Sequence, residues 1–232
     1  KEPLLRLYGH QGSVNSLSWH PSAGWLLSGG SDGNLHLWKI DPKQRSGPLR
    51  RTAGKVVEQV RWSHDDQRLL ASPERLSAGS MAILNSTSLA VDGVVGDYRS
   101  FGWSGDWGMR SSRIVTVGDS GVVQIWSATE KRLLFELPLG GVSLYTSWDP
   151  EGNTIAVSLR PQMQTFPGSG EVVLIDGQDG RIIRRWHCPG LDRLAWSHDH
   201  RLAVTTCDGR LEIWNPDTGT KEKVLLSVDE KM

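Results

Sequence analysis

The chain has 232 residues, 26 Lys plus Arg against 26 Asp plus Glu, and 38% apolar residues. That is long enough for one well-filled core, and the zero formal charge supplies no general field for a nucleic acid or an acidic membrane. Two cysteines, Cys188 and Cys207, make no disulfide framework, and the residues contain no signal peptide or long apolar segment. A reducing, cytoplasmic setting without membrane insertion is therefore expected.

In chain order, residues 3–8, PLLRLY, read as an outer strand entering Gly9-His10. Val14 to Trp19 is a strand that stops at the turn His20-Pro21; Trp25 to Ser28 is a second, and Asn34 to Trp38 a third. Between the last two, Asp32-Gly33 is the strongest short-range signal for a tight β-hairpin. An outer strand is expected near residues 48–52.

Weaker copies of this unit recur. Residues 119–126 read DSGVVQIW and 208–214 read DGRLEIW, so Trp38, Trp126 and Trp214 stand 88 residues apart, two units of 44. A second series, Trp19, Trp62, Trp103, Trp148 and Trp196, has gaps of 43, 41, 45 and 48. Leu84 and Ile175 take the place of the closing tryptophan after the weaker turns Ala78-Gly79 and Ser169-Gly170. Eleven tryptophans against three phenylalanines and three tyrosines are thus mostly scaffold. A period near 44 residues carrying four short strands marks propeller blades. The expected fold is all-β, a propeller of four-stranded antiparallel blades, with residues 1–232 as one domain or segment. The five blades span about 10–52, 56–91, 98–137, 142–187 and 191–228.

Two repeats carry surplus residues. In the third they fall at Gly105 to Arg113, read as a bottom-face loop; in the fourth at Arg160 to Ser169, read as a top-face loop. An outer strand lies before the first blade and another, Lys221 to Ser227, after the last. Closure by strand exchange needs one of these, so the five blades are read as part of a larger ring, completed by further blades of the same or another chain.

His10, Ser28 and Asp32 are the parts of a nucleophilic triad. However, Gly9-His10, Asp32-Gly33 and Trp38-Lys39 resemble the WD-repeat family, clearly in the first repeat, less so in the third and fifth, and by period alone in the second and fourth. The resemblance covers roughly residues 4–228. It implies that His10, Ser28, Asp32 and Trp38 form a structural network, with Thr116 and Trp126 surviving in blade three and His187, Asp208 and Trp214 in blade five. Val204 stands where blade five needs a hydroxyl. A set lost by degrees reads as scaffold, so no catalytic residue, cofactor or metal is expected. His64-Asp65-Asp66 and His198-Asp199-His200 follow strand-closing tryptophans and read as matching solvated turns. Five repeats fewer than the usual seven and both outer strands agree with an incomplete ring.

The resemblance also implies partner contacts where the innermost strand begins. Four residues before each strand-closing tryptophan stand Asn15, Glu58, Arg99, Leu144 and Asp192, and Ser31 precedes a hairpin turn. Tyr98, beside Arg99, and Phe166, in the long loop, complete the candidate top-face set, because aromatic and arginine side chains anchor interfaces. The expected function is a non-enzymatic scaffold binding a peptide or protein surface through that face, with no nucleic-acid partner. A sensing or regulatory propeller of a larger signalling protein is the alternative, and a propeller hydrolase the remote one.

Overall fold

The computed structural model of the chain describes residues 6–40, 49–52, 56–73, 80–96, 102–108, 112–160 and 169–226. These form five four-stranded antiparallel sheets, each built from four strands in sequence order. Blade one is β1 (Val14–Trp19), β2 (Trp25–Gly30), β3 (Asn34–Lys39) and β4 (Leu49–Thr52). Blade two is β5 (Val57–Trp62), β6 (Arg68–Pro73), β7 (Met81–Asn85) and β8 (Val91–Val95). Blade three is β9 (Gly102–Trp107), β10 (Arg113–Gly118), β11 (Val122–Ser127) and β12 (Arg132–Pro138). Blade four is β13 (Val142–Trp148), β14 (Thr154–Arg160), β15 (Glu171–Asp176) and β16 (Ile182–His187). Blade five is β17 (Leu191–Trp196), β18 (Leu202–Thr206), β19 (Leu211–Asn215) and β20 (Thr220–Leu226).

The Asp32-Gly33 turn joins β2 to β3, with Gly33 at φ 70, a backbone setting that L side chains resist. Middle strands such as β14 and β15 are buried on both faces, because a neighbouring blade covers each side, whereas outer β16 is largely exposed. Blades stack through side chains between the sheets. Leu27, Leu35 and Leu37 of blade one pack with Val60, Trp62 and Leu69 of blade two, and comparable cores join blades two to three, three to four and four to five. Hydrogen bonds cross the same interfaces: Trp62 donates its backbone N–H to Ser18 Oγ and its indole Nε1–H to Ser18 O, both at 3.1 Å. Trp196 Nε1 donates likewise to Ser147 O at 3.1 Å, and Trp148 N to Asp106 Oδ2 at 2.8 Å.

Blade one lacks this cover on its opposite side. Trp62, Trp107 and Trp148 are 6%, 3% and 5% exposed, but Trp19 at the same strand end is 59% exposed and Leu17 56%. Among the described residues no apolar core joins blade five to blade one.

Three expectations are corrected. The residue that closes the first strand of blade three is Trp107, not Trp103: Trp107 opposes Ile114, as Trp19 opposes Leu26, Trp62 opposes Leu69 and Trp148 opposes Ile155. Gly105 and Asp106 therefore belong to β9, and the supposed bottom-face insertion shrinks to the short link before Arg113. Two tryptophans four residues apart fit the same strand pattern, and spacing alone chose the wrong one. Blade two extends past residue 91, since Val91 opens its outer strand instead of ending it. In the expected entry strand, residues 6–8 form no strand, and residues 3–5 lie outside the described residues.

Candidate interaction face at the channel mouth

Every first strand carries a β-bulge near its start. The pairing skips Asn15 in β1, Glu58 in β5, Trp103 in β9, Leu144 in β13 and Asp192 in β17. A bulge leaves one residue outside the ladder and re-aims the strand locally, a device common beside functional sites. Asn15, Glu58, Leu144 and Asp192 are the positions reached by counting back from the tryptophans. In blade three the same count from Trp107 gives Trp103 and not Arg99; Tyr98, Arg99 and Phe166 lie outside the described residues.

The first strands of blades one, two, four and five converge on a cavity of about 370 Å³ lined by Asn15, Glu58, Arg61, Tyr145, Thr146 and Arg193, among others. Asn15 Nδ2 donates to Val57 O at 3.1 Å, tying blade one to blade two at this rim. Arg193 holds its guanidinium 4.5 Å from the centre of the Tyr145 ring. Burial pushes the Tyr145 hydroxyl above its ordinary value, against the pull of Arg193, so the phenol stays protonated. Arg61 approaches Asp106 at 3.8 Å, and burial raises the Asp106 carboxyl despite that cation. The counting rule missed Tyr145, Arg61 and Arg193, which are one or three residues from their closing tryptophans; the alternation of the strand was the signal for them.

On the rim, Asp192 pairs with Arg160 at 3.3 Å, and Arg160 Nη2 also reaches Cys207 Sγ at 3.1 Å. Ser31 Oγ accepts the Ser13 N–H at 2.8 Å, so its side chain fastens the loop before β1. Burial pushes the Cys188 thiol up to about 12 and raises Cys207 as well, which leaves neither as a ready thiolate.

The triad-like residues of blade one come together. His10 Nδ1 lies 2.9 Å from Asp32 Oδ1, His10 Nε2 lies 2.7 Å from Ser28 Oγ, and Trp38 Nε1 donates to Ser28 Oγ at 2.8 Å. Burial alone would raise the Asp32 carboxyl; hydrogen bonds from Asn34, Gln11 N–H and His10 overcome it and hold it well below the usual carboxylate range. Ser28 is 2% exposed and its oxygen already takes the indole proton. His36 stacks on His10 at 4.1 Å, and the ligand atoms of His10, Asp32 and His36 lie within 4.8 Å of one another. A metal there would have to displace the contacts His10 makes through both ring nitrogens, so the set fits an ion poorly.

Blade three keeps the indole bond, Trp126 Nε1 to Thr116 Oγ1 at 3.2 Å. Blade five solves the problem differently: Trp214 Nε1 donates to buried Glu212 at 3.0 Å, and Glu212 is neutralised by Lys221 at 3.0 Å. Asp208 binds Thr206 and Arg210, while His187 is exposed at the end of β16, with no hydrogen bond between His187 and Asp208 among the described residues. The expected His187–Asp208–Trp214 grouping is thus corrected: without a hydroxyl at Val204, a carboxylate across the ladder takes the indole.

The two histidine-acid turns match each other. Asp65 accepts from Ser63, Gln67 N–H and Arg68, and Asp199 from Ser197 and Arg201. Asp66 and His200 occupy equivalent positive-φ positions, at 61 and 59.

The family model for the WD domain, G-beta repeat, matches residues 1–39 and 179–215, the first and last repeats. These two repeats match the WD-repeat family, and the chain is similar to WD-repeat proteins. Among similar proteins, actin-interacting protein 1 of Drosophila melanogaster is 24% identical over 209 residues, 86% of this chain and 32% of the relative. WD repeat-containing protein 1 of Mus musculus is 21% identical over 217 residues, 89% of this chain and 34% of the relative. Ribosome biogenesis protein ytm1 of Aspergillus oryzae is 30% identical over 118 residues, 49% of this chain and 24% of the relative. The chain therefore spans about a third or less of the length of these relatives. WD-repeat propellers are typically scaffolds that bind proteins, and no helix among the described residues is long and apolar enough to cross a membrane.

Proposed function

We propose that this WD-repeat chain is a non-enzymatic scaffold that binds a peptide or protein surface through its top face, at the mouth of the channel. The observation that carries the reading is the bulge repeated at the start of all five first strands, two of whose bulged residues, Asn15 and Glu58, line a polar cavity together with the Tyr145–Arg193 pair. Glu58 and Arg193 are the charged groups that would select a partner there, with Asn15, Ser31, Leu144 and Asp192 around them and Tyr98, Arg99 and Phe166 as further contacts. His10, Ser28, Asp32 and Trp38 serve the fold. A hydrolase with Ser28 as nucleophile is opposed by the burial of that hydroxyl and by its indole bond. Residence in the cytoplasm and the absence of a nucleic-acid partner belong to the same proposal.

A direct test compares wild type with a Glu58→Ala, Arg193→Ala double variant in affinity capture from source cells, with mass spectrometry of the retained proteins. Purified actin filaments, suggested by the name of one relative, are included as a defined co-sedimentation arm. A stoichiometric partner held by wild type and lost by the folded double variant supports the top face. Equal retention by both moves the site elsewhere on the ring.

A second reading concerns assembly. The exposed Trp19 and Leu17 favour a ring completed by further blades of the same or another chain. Such a blade would offer Trp19 Nε1 the carbonyl that Ser18 offers Trp62 and Ser147 offers Trp196. This larger ring is compatible with a regulatory domain of a signalling protein whose enzymatic part lies outside the chain.

A further inference from the structure

A second cavity, of about 370 Å³, lies at the opposite end of the strands, between blades one and two. Its walls include Trp25 at the start of β2, Leu37 of β3, Trp62 at the end of β5 and Thr87 in the turn after β7. His20 rests against Trp62 with ring centroids 4.5 Å apart. Trp25, Leu37 and Trp62 give the lining an aromatic and apolar part, beside the polar Gln67, Ser86 and Thr87 and one ionisable acid, Asp66.

Asp66 is only half satisfied. Its Oδ2 accepts the Ser22 hydroxyl at 2.6 Å, but its Oδ1 is buried without a hydrogen-bond partner. His20 Nδ1 lies 3.5 Å from that oxygen. That nitrogen accepts the backbone N–H groups of Ala23 at 2.9 Å and Ser22 at 3.2 Å. A backbone N–H only donates, so Nδ1 presents its lone pair and has no proton for Asp66. Two acceptors therefore face one another beside an aromatic cavity. A carboxylate oxygen left in this state costs free energy that a cation would recover. Aromatic faces attract alkylammonium groups in particular, and their attraction grows when water is excluded.

We propose that this cavity binds the side chain of a lysine, free or N-methylated, presented by a partner protein. The aliphatic stem packs along the Trp25 and Trp62 lining, and the ammonium pairs with the accessible part of the Asp66 carboxylate, whose side chain is 27% exposed although Oδ1 itself is buried. This site is separate from the channel mouth, and its occupancy does not depend on the top-face reading.

The test titrates the full chain with Nα-acetyl-lysine methylamide, its Nε-trimethyl form, the uncharged norleucine analogue and choline, following the indole N–H resonances of Trp25 and Trp62 by NMR. Saturable shifts with either lysine compound, at least tenfold weaker with norleucine, are expected. Asp66→Asn should weaken lysine binding at least tenfold. Asn tolerates the positive φ of Asp66 and keeps an acceptor for Ser22, so the turn survives. An unchanged Trp38 indole resonance reports that blade one remains folded. Trp25→Leu is the second variant and should also weaken binding. Equal binding of norleucine, full affinity in Asp66→Asn, binding of choline alone, or no saturable shift with any probe would overturn the proposal.

Discussion

Ser28→Ala tests the account of the blade-one network. The hydroxyl receives the Trp38 indole N–H at 2.8 Å and meets His10 Nε2 at 2.7 Å, and Ser28 and Trp38 are both buried. Removing it strands two polar groups, at about 1–3 kcal/mol each, so a loss of about 2–6 kcal/mol is expected. A domain of this kind has a total stability of about 5–15 kcal/mol, so a mid-range loss leaves the variant folded but with a much lower urea midpoint. In a Trp38→Phe background the indole is already gone, and Ser28→Ala should cost only about 1–3 kcal/mol. Equilibrium urea unfolding of the four proteins of this cycle gives the coupling directly. A Ser28→Ala loss below about 0.5 kcal/mol, or the same loss in both backgrounds, would refute the network as a source of stability.

Asp32 makes a prediction about acid. Its folded-state value lies below the ordinary 3.8, so its contribution is present above that value and is lost as the pH falls toward the folded value. Unfolding free energies measured from pH 6 to pH 2 should fall less steeply for Asp32→Asn than for wild type; parallel curves would be the contrary result. The buried Asp106, raised by desolvation, has the opposite slope, but it is common to both proteins and cancels in the comparison. Cys188, fully buried and pushed up to about 12, should react with a thiol reagent at pH 7.5 only as fast as the chain opens; rapid labelling of Cys188 located by peptide mapping would contradict its burial. At Gly121, φ is 68 and an added Cβ would meet the backbone of Gly141, so Gly121→Ala should cost more than about 1 kcal/mol in the same urea assay. A neutral Gly121→Ala would contradict that turn geometry.

Much of the fold was legible because WD-repeat units repeat their errors as well as their rules. Leu84 opposes Leu69 and Ile175 opposes Ile155 in the same register that sets Trp38 against Leu26, so period alone located the degenerate blades. Period failed where two tryptophans shared one strand: only the pairing of Trp107 with Ile114 distinguishes it from Trp103. Counting back from a strand end found bulged positions, since a bulge inserted at the same place in each blade preserves the count. It could not find Tyr145 or Arg193, whose stacking depends on how blades four and five converge. The Glu212–Trp214 pair was hidden for a related reason. The substitute for the hydroxyl missing at Val204 is Glu212, its ladder partner two residues before the tryptophan, where the other tryptophan-closed repeats have His36 and Gln124.

The most direct test of top-face binding places a photoreactive crosslinking residue at Asp192, on the channel rim, or at Thr218, in the turn between β19 and β20 at the other end of blade five. The account predicts that, in source-cell extract, Asp192 yields one dominant protein adduct and Thr218 does not. A dominant adduct from Thr218 with none from Asp192 would contradict it.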